Sequence, residues 1–188
     1  AAHTNLVQQA VESLEKKPQI YSMDPHNLSE ILQSVKDLAT VIGFQKKGQE
    51  VCNSLEQRLD KIQNKHYEKR PKVLAIEWIE PFFTAGHWVP QMIEYAGGVN
   101  MVSKTGDHSR RMELDEIISA DPDIIVLMPC GFDTKRTIEE YNKFLKKNQR
   151  WNDLRAVKEQ KVFAVDANSC FSKPSIRTIT GVEILAKI

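Results

Sequence analysis

Four short apolar runs constrain this chain most: Val73 to Ile76, Val99 to Val102, Ile124 to Met128 and Val162 to Val165. Each is bounded by turn residues and separated from the next by a stretch whose apolar positions recur at helical spacing. Runs this short read as strands, and Ile124 to Met128, apolar throughout, reads as a strand buried on both faces. Helical segments predicted between them are the stretch closing on Gly97 and Gly98, Leu114 to Ala120, Thr137 to Lys147, the turn through Trp151, Leu154 and Val157, and a last helix from about Ser175. Strands alternating with helices need crossover connections, and these give a mostly parallel sheet covered on both faces. The expected fold class is therefore α/β.

The first 70 residues do not follow this rhythm. Leu6, Val7, Ala10, Val11 and Leu14 share one helical face behind Asn5 as N-cap, Pro18 ends that helix, and Gln19 to Met23 reads as a strand. Asn27 followed by Glu30 has the spacing of a capping box. It opens a helix with Leu28, Ile31, Leu32, Val35, Leu38, Ala39 and Ile42 on one stripe, closed by Gly43. One strand cannot make a sheet, so residues 1–44 read as the remnant of a lobe. Gln45 to Glu68, with Val51, Leu55, Leu59 and Ile62 on one narrow side, predicts a helix about 33 Å long. It reads as a strut between two α/β segments, with an ordinary surface helix as the alternative. The organisation expected is a lobe remnant over 1–44, a long connecting helix and boundary over 45–70, and an α/β lobe over 71–188.

Unusual residues gather where strands end. The stretch after the first run holds Trp78, Phe82, Phe83, His87 and Trp88; the exit of the third holds Phe132; the exit of the fourth holds Phe171 and Arg177. Arg110 lies in the polar loop Ser103 to Arg111. Parallel strands put all their carboxyl ends on one edge, where open α/β sheets bind ligands. A single loop aromatic is more often packing than contact. The same signature at three exits points instead to one surface that stacks on a flat, mostly apolar guest.

Composition removes several other classes. Lys and Arg (26) nearly balance Asp and Glu (25), leaving +1, without the basic excess of a nucleic-acid binder. No apolar run nears the roughly 20 residues that span a bilayer, and no leader-like stretch opens the sequence. Cys52, Cys130 and Cys170 lack CxxC spacing, which argues against a disulfide scaffold or a zinc ribbon. They read as small buried hydrophobes, with a Cys130–Cys170 bridge at the shared sheet edge as the alternative. His87 and Cys130 are the right types for a base and a thiol nucleophile, but neither sits in a local motif for that chemistry. Glu77, His87 and His108 are the one conceivable metal set, without regular spacing. His3, His26 and His66 read as surface residues.

Three segments carry a resemblance: Val73 to Gly98, Glu113 to Met128 (ELDEIISADPDIIVLM) and Trp151 to Asp166 (WNDLRAVKEQKVFAVD). They resemble the C-terminal lobe of class III periplasmic binding proteins, the receptors that feed ABC importers for cobalamin, siderophores and haem. Gly86 to Met92, Met128 to Phe132 and Phe171 to Arg177 are similar to segments of the cobalamin-binding branch. The similarity runs from about Pro18 onward. Two departures stand out: the last cluster reads Ser-Lys-Pro-Ser-Ile-Arg, with its proline displaced, and Val99 stands where the cobalamin receptor carries a permease-docking carboxylate.

The resemblance implies an α/β C-terminal lobe, a long inter-lobe helix and an incomplete N-terminal lobe whose first strands would precede Ala1. It implies a monomeric, non-catalytic receptor, periplasmic or on the outer face of the membrane, that closes on cobalamin or a related metal chelate and delivers it to an ABC permease. The ligand set would be Trp78, Phe82, Phe83, His87, Trp88, Arg110, Phe132, Phe171 and Arg177, with no resident metal and no catalytic cofactor. A ferric-siderophore or haem receptor of the same fold is the alternative ligand class, and a small His/Cys enzyme the alternative of another kind.

Overall fold

The computed structural model describes residues 4–188, with side chains from residue 6 onward. Its centre is β1 (Lys72–Ile79), which is paired along both edges. On one edge runs β4 (Ile124–Leu127), parallel to β1 from Val73↔Ile124 to Ile76↔Leu127, and β4 in turn pairs in parallel with β5 (Val162–Ala164). The other edge of β1 is shared. Its start pairs in parallel with β3 (Val99–Asn100), and its end pairs antiparallel with β2 (Phe82–Thr84). The parallel sheet is thus as the alternation requires, with one antiparallel addition. The predicted second strand shrinks to two residues, because only Lys72 and Val73 remain to pair with it.

Side chains alternate along β1 and sort the core into two layers. Val73 and Ala75, with Val126, Met128 and Val165, pack under α2 (Leu28–Val41), α3 (Gln45–Gln63), α4 (Val89–Tyr95) and α10 (Thr178–Leu185). Leu74 and Ile76, with Ile125 and Leu127, face the other layer. That layer contains Ile117 of α5 (Leu114–Ala120), Leu145 at the end of α6 (Thr134–Phe144), Trp151 of α7 (Gln149–Asn152), Leu154, and Ala156 of α8 (Arg155–Lys158). The turn read as one helix around Trp151 is two four-residue helices, α7 and α8. A further short helix, α9 (Ala167–Cys170), lies in what reads as a loop.

Before the sheet, α1 (Thr4–Glu12) already includes Asn5, so that residue does not cap it. Leu6 and Leu14 are 62% and 50% exposed, so the apolar face of α1 is not packed. His3 lies outside the described residues. Gln19 to Met23 lies in neither a helix nor a strand, so the expected strand does not form. A lone strand has no ladder to join. The capping box does form: Asn27 Oδ1 accepts from Glu30 N at 2.9 Å, and Glu30 Oε2 accepts from His26 N at 2.7 Å.

The long helix ends at Gln63, five residues before the sequence expectation. Nor does it stand clear of the molecule. Cys52, Leu55, Leu59 and Ile62 are buried in the layer that also holds Leu28, Ile31 and Leu32 of α2. A Cβ on Gly48 would press on Ala39, so the missing side chain is what lets α2 and α3 cross closely. Arg58 Nη2 donates to Glu183 at 2.7 Å and to Thr180 Oγ1 at 3.0 Å, fixing α3 to α10.

Candidate ligand-binding site

Because β1, β4 and β5 are parallel, their exits share one rim, and backbone bonds weld it together. Cys130 N donates to the Glu77 carbonyl at 3.0 Å, joining the first two exits. Asn168 N donates to the Phe132 carbonyl at 3.0 Å, and Gly131 N to Ser172 Oγ at 2.9 Å, joining the second and third. The pairing of β1 with β2 slips between Ile76 and Trp78, so Glu77 is an extra residue in a bulge. A bulge re-aims the side chains beyond it. Here it puts Trp78 opposite Phe83 and Ile79 opposite Phe82.

That pairing divides aromatics expected to act together. Residues directly opposite in a ladder point to the same side, and neighbours along a strand point to opposite sides. Ile79 belongs to the interior layer of α5 to α8, and Phe82 follows it, stacking on buried Trp151 at 5.7 Å between ring centroids. Phe82 is therefore a core residue and not part of a shared rim surface. Trp78 and Phe83 turn to the other side.

Trp78 is 38% exposed, and its ring meets Phe132 edge-on at 5.3 Å. Phe132 is 7% exposed, because Arg136 lies over its ring at 3.7 Å from the centroid. Trp88 (8% exposed) donates from Nε1 to the carbonyl of Phe171, itself 3% exposed, at 3.1 Å. These four aromatics form two coupled pairs, Trp78 with Phe132 and Trp88 with Phe171, and the second pair is buried in the core layer under α2, α3, α4 and α10. Of the four, Trp78 alone is exposed. Arg177 N-caps α10 beside the last exit. Arg110 is engaged elsewhere: it pairs with Glu116 of α5, and those hydrogen bonds hold the Glu116 carboxyl below the usual carboxylate range.

His87 adopts a left-handed backbone (φ 53°), unusual for a non-glycine residue and strained. Two bonds lock it there. His87 N donates to the Asp107 carbonyl at 2.7 Å, and Gly106 N donates to the His87 carbonyl at 2.9 Å. Gly86 makes the contact sterically feasible: a Cβ there would press on the Asp107 carbonyl and lie 2.8 Å from Ser109 N. The two interlocked loops bring His87 and His108 together at 5.3 Å between ring centroids, and His26 joins them at 6.4 and 6.2 Å. His26 is thus no plain surface residue but part of an imidazole cluster, with Asp24 at 3.6 Å from its Nε2. Glu77 instead accepts from Ser109 Oγ at 2.9 Å, and no metal-binding group of three His, Cys, Asp or Glu occurs among the described residues.

Cys130 is exposed and Cys170 buried, and both are free thiols, so the bridge does not form. Burial, with Asp166 adding to it, pushes the Cys170 thiol up. No hydrogen bond joins Cys130 to His87 among the described residues, so the structure does not assemble a base–thiol pair. Sequence reasoning missed Arg136 and His26 and named His108 only in a conceivable metal set. Arg136 follows Phe132 by four residues, a spacing that could have marked it; His26 is brought in only by the packing of distant loops.

This is the architecture of a solute receptor lobe, and the chain belongs to the Periplasmic binding protein family, whose model matches residues 1–169. The High-affinity heme uptake system protein IsdE of Staphylococcus aureus is 23% identical over 160 residues, covering 82% of this chain and 54% of its own length. The chain therefore spans about half the length of the curated relatives it matches. Among solved structures, an ABC transporter substrate-binding protein from Listeria monocytogenes EGD-e superposes with a TM-score of 0.81 at 18% identity, over 97% of this chain and 71% of that one. The periplasmic vitamin B12 binding protein BtuF of Vibrio cholerae gives 0.72 at 20% identity, over 97% and 68%. At these identities the structural likenesses establish the fold.

Proposed function

We propose that this chain supplies the C-terminal lobe of the substrate-binding component of an ABC importer, and that its cargo is a flat metal chelate: cobalamin or a related corrinoid. One observation carries the reading: Trp78, with an open indole face, is braced by Phe132 at a rim built from three strand exits. An exposed indole in that setting is a stacking platform. In this reading residues 1–44 belong to the N-terminal lobe, residues 45–70 hold the inter-lobe helix, and residues 71–188 form the lobe that presents the platform. The receptor works outside the cytoplasmic membrane and hands its cargo to a permease. It binds without chemical conversion.

The corrin face lies on Trp78 and Phe83, which share a side of the hairpin. His87 reaches an amide of the cargo, or its metal, from the loop that fixes its backbone. Trp88, Phe132 and Phe171 hold the platform in place, while Arg177 meets polar substituents with its planar fork. A second reading, haem, is favoured by the similarity to the haem uptake protein named above.

Titration of the protein at its full natural length with cyanocobalamin and, separately, hemin tests both readings. Trp78 is the exposed one of three tryptophans, since Trp88 and Trp151 are buried. A bound chelate quenches tryptophan fluorescence, and Trp78→Phe lowers the affinity read from that quenching. Saturable quenching by hemin alone transfers the assignment to haem. Absence of quenching by either at micromolar concentration overturns the chelate reading.

A further inference from the structure

The chain has eight arginines, and most of their guanidiniums are engaged. Arg58, Arg110, Arg111, Arg150 and Arg155 each meet a carboxylate, and Arg70 donates to the Gly98 carbonyl at 2.6 Å. Among the described residues, Arg136 and Arg177 have no carboxylate within 4.0 Å. Both lie on the rim, one at the β4 exit and one after the β5 exit. Five of the eight arginines are thus tied to carboxylates, and the two at the strand exits are not.

Arg136 is also held in a particular pose. Its guanidinium lies 3.7 Å from the centroid of Phe132, the ring that braces Trp78. The helix does not call for a cation there. Arg136 is in the first turn of α6, the positive end of the helix, where a positive side chain is disfavoured. The local need is already met by Asp133, whose side chain accepts from Arg136 N at 2.8 Å. A guanidinium held over a ring face still has N–H donors free to bond a planar anion. Stacking pre-orders the side chain, so less rotamer freedom is lost when the fork closes on a planar anion.

We propose that Arg136 is the anion-recognising residue of this rim, taking a carboxylate or phosphate carried on the periphery of the chelate that stacks on Trp78. The proposal rests on the receptor reading above and sharpens it. The cargo class is a chelate with an ionised side group, and Arg136 is what distinguishes it from a neutral analogue. Arg136 falls just before the helix expected from the sequence, Thr137 to Lys147, and is not among the expected site residues.

The test uses two probe pairs on the protein at its full natural length. Hemin against hemin dimethyl ester isolates carboxylates. Cyanocobalamin against dicyanocobinamide removes the phosphate along with the nucleotide loop. With wild type, the anionic member of one pair binds more tightly, and the pair that shows it identifies carboxylate or phosphate. Arg136→Gln is expected to lower affinity for that member about tenfold or more, while its partner changes less than about twofold. Arg136→Lys, which keeps the charge without the planar fork, falls between. The melting temperature of each variant stays at the wild-type value, since the side chain is exposed. Equal losses for both members, or none for either, would overturn the role of Arg136 while leaving the receptor reading standing. Failure of every probe to bind wild type would remove the receptor reading and this proposal with it.

Discussion

The two ends of the sheet handle charge differently. At the base, where the strands begin, a network of charged groups ties β1 to the start of β4. Lys72 N donates to Asp123 Oδ2 at 2.7 Å, Asp123 N returns to the Lys72 carbonyl at 2.8 Å, and Arg155 clamps Asp121 and Asp123 together. The Lys72 N–H and Arg155 hold the Asp123 carboxyl below the usual range, and the two aspartates raise the affinity of Arg155 for its proton. Between the strand starts and α10 lies an apolar cavity of about 160 Å³, lined by Val73, Ile93, Val126 and Leu185. At the rim lie a bulge, an open indole and two guanidiniums without a carboxylate partner; left-handed backbone occurs at both ends, at His87 on the rim and at Asp121 and Gln160 at the base. A protein tolerates uncommitted polar groups where function needs them. The base maintains the fold, and the rim draws on that stability.

Substitutions can break or sharpen this contrast. The largest effect is expected at the rim's frame rather than its contact groups. Gly86→Ala places a methyl against backbone atoms of residues 107–109 that cannot step aside, lowering stability by about 2–3 kcal/mol in chemical denaturation. A loss under about 0.5 kcal/mol would mean the interlocked loops are soft. At the base, Asp123→Ala strands both the Lys72 N–H and the Arg155 fork, for a loss of about 1.5–3 kcal/mol with ligand affinity unchanged. A fall in affinity from that variant would dissolve the division between base and rim.

The same aspartate sets an acid limb. Its folded pKa lies below its unfolded one, so its contribution is complete above the ordinary aspartate range, near pH 4, and disappears as pH falls through the folded value. Glu116 and Glu183, held down by Arg110 and Arg58, act in the same direction. Stability measured against pH should therefore drop below about pH 4.5, and Asp123→Asn should drop less steeply than wild type.

Contact residues come next. Trp78→Ala is expected to weaken chelate binding about tenfold, near 1.4 kcal/mol, with little change in melting temperature because the indole is partly exposed. Smallest in stability is His87→Gly. Glycine accepts the left-handed backbone that histidine tolerates under strain, so the variant should be neutral or gain up to about 1 kcal/mol while binding its ligand less tightly. A variant that both destabilises and binds normally would assign His87 to packing.

Much of this was legible in the chain itself. The apolar runs, the capping box at Asn27 and the alternation of strand and helix fixed an α/β sheet with a parallel centre, because burial and periodicity are local properties. Parallel strands then imply a common rim; Trp78 meets Phe132 there, while Trp88 and Phe171 pair inside the core. What local pattern could not decide was direction. Phe82 and Phe83 are adjacent in sequence, but a ladder invisible before folding turns one into the core and leaves the other facing the rim. The same holds for His26 beside His87 and His108, a contact that joins residues from distant segments, whereas Arg136 on Phe132 is a local contact four residues apart. Sequence determined which elements form, since that depends on neighbours along the backbone. Only tertiary structure decided which side chains remain uncommitted, since that depends on neighbours in space.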